Sequence, residues 1–475
     1  MRRLLVVIAL VPALALLAGC GRDGVVTPES GANGEHSDVD PRILAGSIIE
    51  KSGWPIDSEE EVPVGCPAVT LVGREPLMGD VVHYSYTLRV GSGPYDVIGL
   101  HRVVKESRPN HPIRTRKAVF LQHGDGVGFV KFIYGVVAPS APDDRAFAVY
   151  LAKNDVDVWG IDQDWVLVPA GATDFSFMQD WGMQHCIDNL RIGLGVAKTV
   201  RLFTGNGPDK LLLLGYSSGA SLGFAYVNEE AAMSESSRLV KGYIPVDIFF
   251  KTDDAALKAV NCMYWEQIQG MMAAGVYQYD ILFAPVGGLA RTDPDGASPF
   301  VPGFTNLQVA LAFGGATFLF DPLLPHWHYV AATFGEDGIP DGLQYMTVDN
   351  WLDFTLLASP YEPARFIGEY SAITCEETDL PFDDNLGLVD IPIMYVGAAG
   401  GVGAAGLHTT TLLGSTDVTS LIVELYPPDA KVLDFGHIDI FAAENAQALC
   451  WTPVLDWIAA HSAHPSDKGN KPVKP

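Results

Sequence analysis

One serine in this sequence stands in a setting that could activate it as a nucleophile. Residues 215–219 read Gly-Tyr-Ser-Ser-Gly, after an apolar run at 211–214 and before a stretch of small residues. A strand, a sharp turn and a helix in that order hold the central serine exposed in a strained conformation, and the flanking glycines remove the Cβ atoms that would clash there. We therefore expect Ser217 to attack a carbonyl carbon.

A histidine late in the chain is suited to activate this serine. A free serine hydroxyl is a poor nucleophile at neutral pH, so a neighbouring group must take its proton. His437 follows Gly436 within the segment Phe-Gly-His-Ile-Asp, and it comes after the serine, as the chain order serine, acid, histidine requires. We expect His437 to be the general base, and Asp439 to close the loop or cap the next helix.

Apolar runs and helical patterns alternate on both sides of the serine motif. We expect strands at 81–90, 95–104, 117–122, 155–160, 211–214, 240–246, 391–396 and 431–435. We expect helices at 145–154, 177–204, 417–425 and 445–460. This alternation predicts an α/β fold in which a mostly parallel sheet is flanked by helices.

Five segments occur in an order that is typical of one family. They are Val-Ile-Gly-Leu-His-Arg-Val from 97, Val-Phe-Leu-Gln-His-Gly from 119, Asp-Val-Trp-Gly from 157, the serine motif and the histidine segment. Together they resemble the α/β-hydrolases, and most closely the acid lipase branch. The resemblance implies hydrolysis of an ester or acyl bond by a Ser-His-acid triad under a variable lid. It does not specify the substrate.

The acid of the triad is left open by the sequence. The resemblance implies a carboxylate just after the penultimate strand, but the glycine-rich loop at 397–406 that follows this strand contains none. Asp247 ends the strand after the serine motif, where some hydrolases of this fold place the acid. Asp417 follows the glycine-rich loop and could equally be a helix N-cap. We favour Asp247 and keep Asp417 as the alternative, because the acid must orient His437.

Two backbone amides are expected to form an oxyanion hole. One is the amide of Ser218, directly after the nucleophile, and the other lies in the loop His-Gly-Asp-Gly at 123–126, at Asp125. A carboxylate at this position is unexpected, because its charge opposes a developing oxyanion unless it points away or is paired. We expect His123 to brace the loop rather than to take part in the chemistry.

The segment between the two halves of the sheet pattern has a different character. Residues 248–388 lack regular strand-helix alternation and are dense in aromatic and methionine side chains. We interpret them as a cap inserted between the strand after the serine motif and the penultimate strand. The hydrolase core then comprises 46–247 and 389–461. The aromatic residues of the cap predict an apolar wall over Ser217.

The N-terminus has the features of an export signal. Residues 1–19 combine a basic start with a short apolar run and a small-residue site before Cys20, and they resemble a bacterial lipoprotein signal. That resemblance implies a lipid on the Cys20 sulfur and a location at the cell envelope. Residues 20–45 are expected to be a flexible tether, and 462–475 a disordered tail.

Charge and cysteine content limit the partners and cofactors. The 475 residues include 30 basic and 57 acidic side chains, a net charge of −27, which argues against nucleic acid and anionic lipid headgroups as partners. Besides Cys20 there are five cysteines, which in an exported protein allow up to two disulfides of unknown pairing. His326 and His328 alone are a weak metal signal, and we expect no metal and no cofactor.

These observations predict a secreted serine hydrolase that resembles carboxylesterases and lipases. It would cleave a small hydrophobic ester through Ser217, His437 and an aspartate, with an acyl-enzyme intermediate. The missing acid in the glycine-rich loop leaves a second possibility, a binding protein on an inactive hydrolase scaffold. A peptidase or an acyltransferase could use the same triad. The sequence does not predict the oligomeric state.

Overall fold

The structure is a computed structural model, and it describes residues 69–134, 146–321 and 323–462. The predicted signal peptide, the tether with Cys20 and, apart from Ser462, the predicted tail lie outside the described residues. Within the described part of the chain, no helix combines the length and the apolar character needed to cross a membrane.

The described residues form fourteen strands, ten of which belong to one large sheet. In chain order the strands are β1 (Val69–Met78), β2 (Val81–Arg89), β3 (Val97–Arg108), β4 (His111–Pro112), β5 (Ala118–Gln122), β6 (Asp157–Asp162), β7 (Leu211–Tyr216), β8 (Val240–Val246), β9 (Gln278–Asp280), β10 (Ala332–Phe334), β11 (Pro340–Leu343), β12 (Tyr361–Pro363), β13 (Ile393–Ala398) and β14 (Val418–Val423).

The large sheet is antiparallel at one edge and parallel over the rest of its width. Its order is β1-β2-β3-β6-β5-β7-β8-β13-β14, with β4 paired to β3. The strands from β6 to β14 in this order run parallel. Every residue of β5, β6, β7 and β13 is buried, as expected for parallel strands covered on both faces.

Helices of the described residues cover the two faces of the sheet. Along β7, Leu212 and Leu214 belong to one hydrophobic cluster, whereas Leu211 and Leu213 belong to another, because successive side chains of a strand point to opposite faces. The α-helices are α1 (Val130–Tyr134), α2 (Phe147–Lys153), α3 (Met183–Phe203), α4 (Ser218–Ala231), α5 (Ala255–Ala273), α6 (Phe283–Thr292), α7 (Asn306–Gly315), α8 (Val348–Leu356), α9 (Ala364–Cys375), α10 (Leu407–Thr411), α11 (Asp439–Ala442) and α12 (Thr452–Ala460).

The predicted α/β class with a mostly parallel sheet is confirmed, but two elements near the C-terminus were predicted wrongly. The helix expected at 417–425 is strand β14, which pairs in parallel with β13 along six residues; its Val-Thr-Ser-Leu-Ile-Val sequence is rich in β-branched residues, which favour strands. The strand expected at 431–435 is largely a 3₁₀ helix, Pro428–Leu433, which a proline near its first turn suits.

The segment predicted as a cap contains helices α5 to α9 and two small antiparallel sheets. One pairs β10 with β11, and the other pairs β9 with β12. A disulfide between Cys262 and Cys375 joins α5 to α9. Cys186 and Cys450 are buried free thiols, and Cys66 lies outside the described residues.

A buried ion cluster fixes the middle of the sheet to helix α3. On β3, Arg102 donates from Nε and Nη2 to the two carboxylate oxygens of Asp157 at 2.8 and 2.9 Å. Arg201 of α3 donates to the same carboxylate. All three side chains are almost fully buried, so each charge depends on the others for its compensation.

Replacing Asp157 with alanine should therefore destabilise the fold strongly. Two buried guanidinium groups lose their counter-ion, and we expect the free energy of unfolding to fall by about 3–5 kcal/mol. Asp188→Ala is the control, because this carboxylate forms an exposed pair with Arg191, and its loss should cost less than about 1 kcal/mol. Denaturant titration measures both values, and equal losses would contradict the assignment.

Candidate active site

Ser217 occupies a sharp turn between β7 and α4. Its backbone has φ 57° and ψ −132°, a region that residues with a side chain rarely adopt. A Cβ atom at Gly215 would lie 2.5 Å from the carbonyl oxygen of Gly219, and one at Gly219 would overlap the carbonyl of His123. The two glycines of the motif thus allow the strand, the helix and the loop after β5 to meet at the serine.

His437 and Asp247 form a buried hydrogen-bonded pair. Asp247 follows β8 directly, and its Oδ2 lies 2.7 Å from Nδ1 of His437. Both side chains are almost completely buried. Since an ionised carboxylate can only accept hydrogen bonds, Nδ1 carries the proton in this contact, and Nε2 keeps the lone pair that a base needs.

The glycine-rich loop after β13 explains how Asp247 can be buried there. The amides of Ala398 and Gly403 donate to Oδ1 at 2.8 and 2.9 Å, and the amide of Val402 donates to Oδ2 at 3.1 Å. A Cβ atom at Gly401 would overlap Oδ2. The loop therefore contributes no carboxylate of its own but surrounds the carboxylate of the neighbouring strand with amide donors.

The alternative acid lies elsewhere. Asp417 precedes β14, its side chain is exposed, and its Oδ2 lies 3.2 Å from Nε2 of His461. The structure thus brings Asp247, and not Asp417, to His437.

The imidazole of His437 is fixed on several sides. Its backbone amide donates to the carbonyl of His328 at 3.1 Å. Its ring stacks on Tyr216 with 4.8 Å between ring centroids, and it lies 4.7 Å from the ring of Trp327. Asp439 holds the same loop by accepting from the amides of Gly436 and Ala331, so it closes the loop, as its position after the histidine suggested.

Ser217 and His437 line the same cavity. Its volume is about 140 Å³, and much of its wall consists of aromatic side chains: Phe249, Tyr264, Phe283, Trp327, Tyr329 and Phe354. Among the described residues, no hydrogen bond joins the Ser217 hydroxyl to His437. Contacts between nucleophile and base are often longer in enzymes without substrate and tighten when substrate binds.

The two residues expected to form an oxyanion hole lie beside the serine. Ser218 is the first residue of α4, a helix of fourteen residues, whose N-terminal amides favour negative charge. On the other side, a Cβ atom at Gly124 would lie 2.6 Å from Cβ of Ser217, so the loop before Asp125 lies against Ser217. His123 braces this loop: its Nε2 accepts from the amide of Gln163 at 3.0 Å.

The cap supplies site residues that the sequence did not indicate. Tyr370 of α9 donates to Oδ2 of Asp125 at 3.2 Å, and Glu362 of β12 accepts from the amide of Gly126. Tyr264 and Asp321, which are hydrogen-bonded to each other, line the cavity. No motif marks these residues, because their proximity arises only from the folding of the cap.

Solved structures share this architecture. A candidate lipase from Sulfolobus solfataricus superposes with a TM-score of 0.55 at 20% sequence identity, over 83% of this chain and 99% of its own. The chain has the α/β-hydrolase fold. The soluble variant of the Saccharomyces cerevisiae monoglyceride lipase aligns over 86% of this chain and 100% of its own length, at 12% identity and a TM-score of 0.42. No protein-family model and no curated protein matches the sequence.

The contact between Asp247 and His437 should be visible by proton NMR. A histidine Nδ1 proton held by a buried carboxylate is strongly deshielded, and we expect such a resonance in the folded protein. Asp247→Asn should abolish it, whereas Asp417→Asn should leave it in place. Persistence of the resonance in folded Asp247→Asn would mean that another group orients the ring.

Proposed function

We propose that this protein is a serine hydrolase that cleaves esters with Ser217, His437 and Asp247. The observation that supports the proposal most directly is the buried 2.7 Å contact between Asp247 and His437 on the wall of a cavity that also contains Ser217. Ser217, Asp247 and His437 follow one another along the chain in the order that the hydrolase triad requires. The fold alone would not support an esterase activity, because proteins with unrelated activities share the same fold.

In the proposed reaction, Nε2 of His437 takes the Ser217 proton as Oγ attacks the ester carbonyl. The negative oxygen of the tetrahedral intermediate receives hydrogen bonds from the amides of Ser218 and Asp125. Asp247 stabilises the imidazolium, which then gives its proton to the departing alcohol. Water activated by His437 hydrolyses the acyl-enzyme in the reverse sequence of proton transfers.

The cavity favours a small, uncharged ester. Its volume of about 140 Å³ is close to that of an engineered cavity of about 150 Å³ that holds benzene. The aromatic wall suits an apolar group. Apart from His437, the lining contains no basic side chain, whereas Asp125 and Asp321 are acidic. A negatively charged acyl group would therefore lack a counter-ion.

We also propose that the protein is exported and anchored by a lipid on Cys20. The disulfide between Cys262 and Cys375 supports an oxidising compartment. The net charge of −27 opposes direct contact with anionic headgroups, which leaves the lipid as the membrane contact.

The hydrolase proposal predicts a specific order among three variants. Ser217→Ala should abolish hydrolysis of p-nitrophenyl acetate, and Asp247→Asn should lower kcat by about 10⁴-fold, because the imidazole loses the partner that fixes its tautomer. Asp417→Asn should keep the wild-type kcat. Stopped-flow or steady-state absorbance measures all three. Full activity of Ser217→Ala would show that Ser217 is not the nucleophile, and no activity in the folded wild type would favour an inactive scaffold.

The cavity predicts a preference for short acyl chains. Across a series of p-nitrophenyl esters, kcat/KM should be highest from acetate to butyrate and fall by about tenfold or more at dodecanoate, because long chains exceed the cavity. Phe249→Ala, which removes part of the wall, should move the optimum to longer chains. A wild-type maximum at dodecanoate would show that the cap opens during catalysis, contrary to this expectation.

A further inference from the structure

Two carboxyl groups meet at the loop that is expected to form the oxyanion hole. Asp125 belongs to this loop, and Glu362 reaches it from β12 of the cap. Asp125 lies at the cavity wall and is half-buried, and its carboxyl group interacts directly with the buried carboxyl group of Glu362. Glu362 is fully buried and accepts from the amide of Gly126 through Oε1. The two acids thus connect the cap to the segment beside the nucleophile.

The hydrogen bonds of the pair leave one place for a proton. Oδ1 of Asp125 and Oε2 of Glu362 are both buried, and neither accepts a hydrogen bond from any donor among the described residues. Two ionised carboxylates in contact, away from water, repel each other strongly. A single proton between these two oxygens removes the repulsion and satisfies both atoms.

We propose that Glu362 is a positioning residue that shares one proton with Asp125 and thereby holds the oxyanion loop in its active form. Glu362 carries the proton on Oε2 and donates it to Oδ1 of Asp125, while its Oε1 accepts from Gly126. This inference rests on the proposed hydrolase function and adds to it a requirement for one uncharged carboxyl group beside the oxyanion hole.

The surroundings favour this arrangement. Burial, and then the adjacent Asp125 carboxylate, raise the pKa of Glu362 well above its usual range. Asp125 is the better site for the negative charge, because the Tyr370 hydroxyl also donates to its Oδ2. Among the described residues, the other titratable groups that act on the pair are His123, Cys186, Tyr216, Tyr279, Tyr329 and His437.

Loss of the shared proton should impair catalysis in two ways. A second negative charge beside the oxyanion hole opposes the charge that develops on the substrate oxygen. Repulsion between the two carboxylates also pushes Glu362 away from Gly126, whose carbonyl accepts from Ser359 of the cap at 3.1 Å. The loop would then lose its fixed position relative to Ser217.

The variant Glu362→Gln tests the proposal, because an amide retains an acceptor for Gly126 and a donor for Asp125 but cannot ionise. For the wild type, kcat for p-nitrophenyl acetate should fall about tenfold per pH unit once the pH exceeds the value at which the pair loses its shared proton. Glu362→Gln should keep kcat near the wild-type value at neutral pH and lack this fall. Glu362→Ala should lose kcat at every pH.

The matched control is Glu369→Gln, since Glu369 is a buried cap carboxylate paired with Arg365. In this variant, kcat should fall at alkaline pH as it does in the wild type. The proposal would be overturned if kcat of Glu362→Gln fell at alkaline pH as in the wild type. It would also be overturned if kcat of Glu362→Gln at neutral pH were as low as that of Glu362→Ala.

An infrared measurement keeps this inference separate from the hydrolase proposal. The C=O stretch of a protonated carboxylic acid should persist at neutral pH in the wild type and in Glu369→Gln, with its intensity reduced in Glu362→Gln. Identical wild-type and Glu362→Gln spectra would overturn the shared proton. If the wild type hydrolyses no ester, the hydrolase proposal fails, while the spectra still decide whether the pair holds a proton.

Discussion

The buried contact between Asp247 and His437 determines much of the surrounding structure. A carboxylate removed from water needs several hydrogen-bond donors, because desolvation otherwise costs more than one ion pair returns. The last residue of β13 and the loop after it supply three amides, and the loop can approach only because position 401 lacks a side chain. The same carboxylate fixes the histidine ring, so the sheet, the glycine-rich loop and the base form one unit.

The segment predicted as a cap contributes residues to the cavity that contains Ser217 and His437. It provides most of the aromatic wall of the cavity, and through Ser359 and Glu362 it is hydrogen-bonded to the loop beside the nucleophile. The disulfide between α5 and α9 restricts the helix pair next to β12. In the proposed hydrolase, the shape of the cavity and the position of the loop at 123–126 therefore depend on the same segment, and a change in this segment is expected to affect both.

The sequence predicted the parts of the molecule that local patterns determine. Continuous apolar runs identified the parallel strands, and the glycines around Ser217 identified the turn. It did not decide between Asp247 and Asp417, because spacing along the chain carries no information about which strand end faces the histidine. Strand β14 was predicted wrongly as a helix, because a segment as short as Val418–Val423 does not distinguish the periodicity of a strand from that of a helix. Glu362 was not found, since its role depends on tertiary contacts with the cap.

The proposed mechanism requires Ser217 to be a nucleophile that is activated by the buried pair. This role is tested most directly by treating the folded protein with a fluorophosphonate, which reacts preferentially with activated serine hydroxyls, and locating the adduct by peptide mass spectrometry. We expect one adduct on the peptide that contains Ser217, and none in Asp247→Asn at short reaction times. An adduct on another residue, or no adduct on the folded wild type, would contradict it.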